Sequence, residues 1–318
     1  MYLYVIYLMN LCAKGIKNEI SCLDIKDLKI ICEAYNKEML RKNKKDYIPI
    51  NIIESKNKKV IFDFLLQKFN CKDEVCIIKN KIIENIKNNE LLYQKFKPEG
   101  PLNHDWLSNW DIDLHMLRFQ NYYNCLLYTG TVSIDFNQDK MFKIYKNVFN
   151  NNSKFNKISC FYHYTNKCTV PEYGSGTIVR DKSRSTVSNE NKINCIATIY
   201  NTSKRSEPGQ HWIASFVKKI NDDEIKMYFF DSVGHKPPSE IKQFFKLLEN
   251  NLFTNYKIDK RYNNIQHQFK NSECGVYCID FIDNMTSNPN SFEKYILKKT
   301  SDDEMYKNRF NYFRPIVA

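Results

Sequence analysis

The stretch Gln268-Phe269-Lys270-Asn271-Ser272-Glu273-Cys274-Gly275 runs directly into Val276-Tyr277-Cys278-Ile279-Asp280-Phe281-Ile282, and it constrains this chain more than any other. A polar loop that passes straight into an apolar, helix-compatible run places Cys274 at the amino end of a buried helix. There, N–H groups without intrahelical partners and the helix dipole favour a thiolate. Gly275 has no Cβ, which is expected to let a substrate backbone approach the sulfur. Gln268 carries an amide suited to a developing oxyanion, and Asn271, nearer the cysteine, offers a second. Cys278 lies one helical turn further on, where packing is its expected role.

A thiol nucleophile needs a base. Gly209-Gln210-His211-Trp212-Ile213-Ala214-Ser215-Phe216-Val217 reads as a strand introduced by a histidine. After a turn at Asn221-Asp222-Asp223, Ile225-Lys226-Met227-Tyr228-Phe229-Phe230-Asp231 reads as a second strand, closed by a carboxylate. Paired as a hairpin, the start of one strand meets the end of the other, so His211 and Asp231 become neighbours. The order His211, Asp231, Gln268, Cys274 thus supplies a base, an orienter of the imidazole, an oxyanion donor and a nucleophile. His235 and His267 are competing bases, but neither introduces a strand paired with an acid-bearing one.

His211-Trp212, Asp231-Ser232, Gln268 and Cys274-Gly275 resemble the signature of the SUMO-protease and adenovirus-protease superfamily of cysteine peptidases. The likeness to its polyprotein-processing viral members extends to Cys71–Cys76, Phe96–Pro101, Leu107–Asp113, Pro237-Pro238 and Asp302–Lys307, and so covers the chain from about Phe69 onward. A viral member carries asparagine as the third catalytic residue, whereas Asp231 is acidic as in the SUMO proteases. The resemblance implies an α+β, papain-like catalytic domain with a central mixed sheet flanked by helices. It implies that Trp106 and Trp212 roof a narrow tunnel that admits only residues without side chains, and hence cleavage after Gly-Gly. It favours a viral endopeptidase that matures capsid or core polyproteins, at work in virus factories of the host cytoplasm and in the virion. Removal of SUMO or another ubiquitin-like modifier is the alternative enzyme reading. An inactive peptide- or nucleic-acid-binding module is the alternative of another class, and the intact Cys274, His211, Asp231 set argues against it.

The chain has 318 residues, enough for one catalytic domain and a smaller attached one. Net charge is +12, but only eight of the 48 basic residues are arginine, the usual reader of base edges, and the lysines form no dense tract. Ordinary solubility accounts for most of that charge. A weak, salt-sensitive affinity for nucleic acid follows from the resemblance, since a viral member is assisted by DNA, and it is the one cofactor effect expected. Eleven scattered cysteines without a Cys-x-x-Cys fit a reducing compartment and neither a disulfide framework nor a metal site. The apolar run Met1–Ala13 has no basic residue before it and is too short to span a bilayer, so no membrane span is expected.

Domains are expected at 1–98, a helical N-terminal arm, and 99–318, the catalytic domain, divided at Pro98-Glu99-Gly100-Pro101. In the arm, Ile25, Leu28, Ile31, Cys32, Tyr35 and Met39 recur at helical spacing from Ser21 to about Lys45, with Ser21 and Asp24 as a capping box. Further helices are read over Lys59 to Phe69 and Ile77 to Phe96. In the catalytic domain a helix capped by Ser108 or Asn109 precedes strands at Tyr128 to Phe136, Ile158 to Tyr164 and Ile193 to Tyr200, the last expected as the central strand leading to the histidine, with a loop over Thr177 to Lys192. A helix after Pro237-Pro238-Ser239 buries Ile241, Phe244, Phe245, Leu248 and Leu252. Strand-like residues follow near Tyr256 to Ile265, and a last helix runs from about Asp302 to Phe313.

Overall fold

The computed structural model describes residues 11–16, 20–86, 89–123, 125–136, 195–251 and 253–315. The expected strand at Ile158 to Tyr164 and loop at Thr177 to Lys192 lie outside them, as does Leu252. The described residues form two compact units that divide between Pro98 and Glu99.

The first unit is helical: α1 Ile25–Arg41, α2 Ile50–Ile53, α3 Lys58–Phe69, α4 Glu74–Ile78, α5 Lys81–Glu84 and α6 Asn89–Tyr93. The apolar stripe of α1 is buried as its spacing requires: Leu28, Ile31, Cys32, Tyr35 and Met39. Its capping box is one turn later than expected, made by Asp24 and Asp27. Ser21 turns inward instead and donates to Glu74. The single helix expected over Ile77 to Phe96 is three short ones, because Asp73 caps α4 through the Cys76 N–H and Asn80 caps α5 through the Ile82 N–H. Side chains that cap so readily compete with helix continuation. The reading of unpaired cysteines is corrected here, since Cys12–Cys22 and Cys71–Cys76 are disulfides. Cys12, Cys22 and Glu74 also group ligand-type atoms, with the two sulfurs joined to each other.

The second unit is built on a five-stranded mixed sheet, β1 Leu126–Ser133, β2 Cys195–Asn201, β3 Trp212–Lys219, β4 Glu224–Phe230 and β5 Lys257–Tyr262, in sequential order. The β2–β3 and β3–β4 pairs are antiparallel, and the outer pairs are parallel. The central strand is therefore β3, the one that follows the histidine, and not the strand before it. Side chains alternate between two covered faces. Ala214, Phe216, Tyr228 and Phe230 join α7 (Asn109–Tyr122) and α9 (Cys274–Ser287) in one core. Ile213, Val217, Met227 and Phe229 meet Phe244, Phe245 and Leu248 of α8 (Ser239–Asn251) in the other. Ser108 caps α7 in a capping box with Asp111, as the sequence predicts. The chain closes with α10 Phe292–Lys298, which the sequence reading passed over, and α11 Asp302–Tyr312. Among the described residues no helix is long and apolar enough to cross a membrane.

Candidate active site

The antiparallel β3–β4 pair puts the residue before β3 beside the residue after β4. His211 and Asp231 meet there, with Nε2 of the imidazole 2.7 Å from Oδ1 of the carboxylate. Backbone ties fix both ends: the His211 carbonyl accepts from the Thr202 N–H, and the Asp231 N–H donates to Asn263 Oδ1 at 2.8 Å. The amide of the fully buried Asn263 also donates to the Asp231 carbonyl, at 2.6 Å. Asp231 Oδ1 accepts a further bond from the Val233 N–H, so the carboxylate orientation is over-determined.

Cys274 is the first residue of α9 and is buried in the core that also holds Trp212, Ala214 and Phe216 of β3. With Nε2 of His211 held by Asp231, the other ring nitrogen is left for the thiol, and Cys274 lies near enough for its charge to act on the imidazole. Burial pulls the His211 pKa down. The bond to Asp231 and the negative charge of Cys274 outweigh it and raise the pKa to about 9. The imidazolium is thus the stable form at neutral pH, which suits an ion pair with a thiolate. Cys278 is the contrast: burial, then the charges of Cys274 and Asp231, push its thiol well above the ordinary range, so it packs and does not react.

Gln268 is buried, and its Oε1 accepts from the Ser232 hydroxyl at 2.6 Å, which turns the amide nitrogen toward the remaining direction. Its own N–H and that of His267 both donate to the Ser232 carbonyl. Asn271, the alternative amide, is exposed at the top of the loop. The rival histidines have other surroundings. His267 is enclosed by Phe230, Tyr277 and Tyr295, and its pKa is lowered by burial. His235 is exposed, with Nδ1 3.3 Å from Asp231 Oδ2.

Of the expected substrate contacts, Trp212 is buried and its indole N–H donates to the Leu107 carbonyl at 3.0 Å, while Trp106, next to Leu107, is 48% exposed. Trp212 is thus tied to the residue that follows Trp106. At Gly275 a Cβ would lie 3.2 Å from Leu107 Cβ and Cδ1 and 3.3 Å from Ile112 Cδ1. The missing side chain therefore makes room for α9 to pack on Leu107 and on Ile112 of α7.

Several residues of the site escaped the sequence reading. Ser232 stood beside Asp231 with no role assigned, although a hydroxyl adjoining the acid could have suggested one. Asn263 sits in a polar, extended run that carries no signal. Glu273 and Arg309 form a wholly buried ion pair, with Arg309 Nη2 2.9 Å from Glu273 Oε2, immediately before the cysteine.

Comparison with known proteins agrees with this geometry. A family described as YopJ serine/threonine acetyltransferase matches residues 176–313. Over 96% of its length the chain is 27% identical to a putative thiol protease of Acanthamoeba polyphaga mimivirus, and it covers 94% of that protein. A cysteine protease of African swine fever virus is 24% identical over 82% of this chain and 90% of its own. A crystal structure of the African swine fever virus protease in its selenomethionine form matches at a TM-score of 0.63 and 21% identity, covering 99% of this chain and all of that one, so the two share a fold. Sequence relatives named as thiol and cysteine proteases, and a fold shared from end to end with one of them, carry the conclusion: this chain is a cysteine peptidase similar to viral cysteine proteases.

Proposed function

We propose that the chain matures viral structural polyproteins by cutting after Gly-Gly, with Cys274 as nucleophile, His211 as acid and base, Asp231 as the partner of the imidazolium and Gln268 as an oxyanion donor. The observation that carries this reading is the single connected set from Asp231 through His211 to Cys274, with Gln268 turned by Ser232. The thiolate attacks the scissile carbonyl carbon, and the Gln268 amide and the Cys274 N–H receive the oxyanion. As the C–N bond breaks, the imidazolium proton passes to the leaving amine and a thioester remains. Water then attacks, giving a proton to His211; the S–C bond breaks and the thiolate returns. Trp212, tied to the residue after the exposed Trp106, supports a narrow approach suited to glycine. Activity is placed in virus factories of the host cytoplasm and in the virion, with DNA as a candidate stimulator.

Two other acceptors or substrates have specific support. A homologue from another African swine fever virus isolate is named a SUMO-1 cysteine protease, which makes ubiquitin-like conjugates a second substrate class. The acetyltransferase family match raises a third route, because a thioester on Cys274 can be taken by a hydroxyl as well as by water. The deciding experiment compares wild type with Cys274→Ala in reducing buffer, with and without DNA. The substrates are a Gly-Gly-Xaa peptide, a ubiquitin-like conjugate and acetyl-coenzyme A with a hydroxyl acceptor. Cys274-dependent cleavage of the peptide supports the proposal. Acetyl transfer without peptide cleavage overturns it.

A further inference from the structure

The last helix holds the nucleophile loop through two buried residues, besides an exposed ion pair of Asp303 with Lys270, and no step of the chemistry above uses it. Asp302, the first residue of α11, accepts the N–H groups of both Phe269 and Lys270 on one oxygen, Oδ2, each at 2.9 Å. Arg309, seven residues on, binds the other end of the loop, with Nε 3.0 Å from Glu273 Oε2 and Nη2 3.3 Å from the Ser272 carbonyl. Seven residues are close to two helical turns, so both side chains leave the same face about 10 Å apart along a rigid rod. Between them the loop joins Gln268 to Cys274, the two groups whose separation decides whether an oxyanion formed at the sulfur falls within reach of the amide.

Arg309 is 0% exposed and spends its third nitrogen elsewhere: Nη1 donates to the carbonyls of Pro101 and Asp105 at 2.8 Å each. That segment leads into Trp106. A buried ion pair is an inefficient way to stabilise a fold, since its desolvation cancels most of the attraction and packed apolar side chains serve as well. A planar guanidinium with its donors in fixed directions can, however, hold carbonyls of two backbone segments in one geometry, which an apolar residue cannot.

We infer that Asp302 and Arg309 are positioning residues, and that α11 is a splint that sets the spacing of Gln268 and Cys274 from outside the active site. The inference rests on the protease reading above. The Asp302 end governs chiefly the oxyanion donor, with a longer bond from the Tyr277 hydroxyl on its other oxygen. The Arg309 end governs the nucleophile and the segment leading into Trp106 together.

The test uses the whole chain, with kcat and KM measured separately on the Gly-Gly-Xaa peptide for Asp302→Ala, Asp302→Asn and Arg309→Lys. Alongside, the rate at which iodoacetamide alkylates Cys274 is measured, a displacement at saturated carbon that needs the thiolate but forms no oxyanion. For Asp302→Ala, kcat is expected to fall about 10- to 100-fold with KM little changed and the alkylation rate retained, as a loss of about an ångström in placement implies. Asp302→Asn, whose amide oxygen still accepts, should recover most of that loss. Arg309→Lys should lower kcat and raise KM together. Wild-type turnover accompanied by an unaltered kcat in Asp302→Ala overturns the splint while leaving the protease reading intact. A parallel fall in alkylation and turnover, tracking a lower melting temperature, also overturns it, because general loosening would then suffice. A wild type that cleaves nothing removes both.

Discussion

The two units bury polar groups to different ends. In the first, Glu74 is enclosed and its pKa is raised by burial, against bonds from the Ser21 hydroxyl and the Cys22 N–H that favour the charge. Lys58 donates to the Ser21 carbonyl beside it, and the Cys12–Cys22 bridge closes the same corner. Every bond in that cluster serves to seat one chain segment on another. In the second unit Asp231, Asn263, Ser232, Gln268, Glu273 and Arg309 are buried as well, yet their bonds converge on Cys274 and His211. Burying a polar group costs free energy unless it is matched by a partner. One unit recovers that cost as local closure. The other recovers it as placement of the groups proposed to make and break bonds.

The sharpest way to break this contrast is at the sulfur. Cys274→Ala should abolish peptide cleavage, while Cys278→Ala, one turn along the same helix, should retain it; equal losses in a turnover assay would show that packing, and not chemistry, explains both. Gln268→Ala should lower kcat by about 100- to 1000-fold, the usual effect of one lost oxyanion donor, and steady-state kinetics reads it directly. A change under about threefold would move that role to Asn271.

A smaller effect is expected from the acid. Because the His211 pKa is raised to about 9, turnover should hold across neutral pH and fall as pH rises through about 9, when the proton for the leaving amine is lost. The same shift makes a stabilising contribution that is full below the ordinary histidine pKa and lost as pH rises through about 9. Asp231→Asn removes one of the causes, so the alkaline limb of the pH profile should move to lower pH. A limb that stays in place would remove Asp231 from the site's electrostatics.

The least effect on catalysis is expected from the first unit. Cys12→Ser with Cys22→Ser opens a loop of ten residues and should cost that unit about 2–3 kcal/mol in a denaturant titration. Hydrolysis of a short peptide should be unchanged. A matching loss of peptide turnover would erase the distinction between the two units.

Much of this was legible beforehand, for reasons that differ by element. The stripe Leu28, Ile31, Cys32, Tyr35, Met39 could be read because a helix repeats every 3.6 residues whatever it packs on. The β3–β4 hairpin could be read because a short turn forces two strand ends together, which made His211 and Asp231 neighbours before any geometry was known. The break of Ile77 to Phe96 into short helices was harder to read, since the apolar run also fits one helix and only the cap at Asn80 decides otherwise. The two disulfides were illegible, because pairing depends on which loops meet in space.

By itself, then, the sequence determined the local terms: the helix stripes, the hairpin, the polar loop ending in Cys274, and the residue types that an acyl transfer needs. Only the tertiary structure decided that Gly275 yields its space to Leu107 and Ile112, that Ser232 turns Gln268, and that Asp302 and Arg309 grip the loop from a helix some thirty residues downstream. Periodicity and turns act between residues close along the chain and leave a pattern in it. Partners brought together across such separations by the packing of a sheet and its helices leave none, because no local rule links their positions.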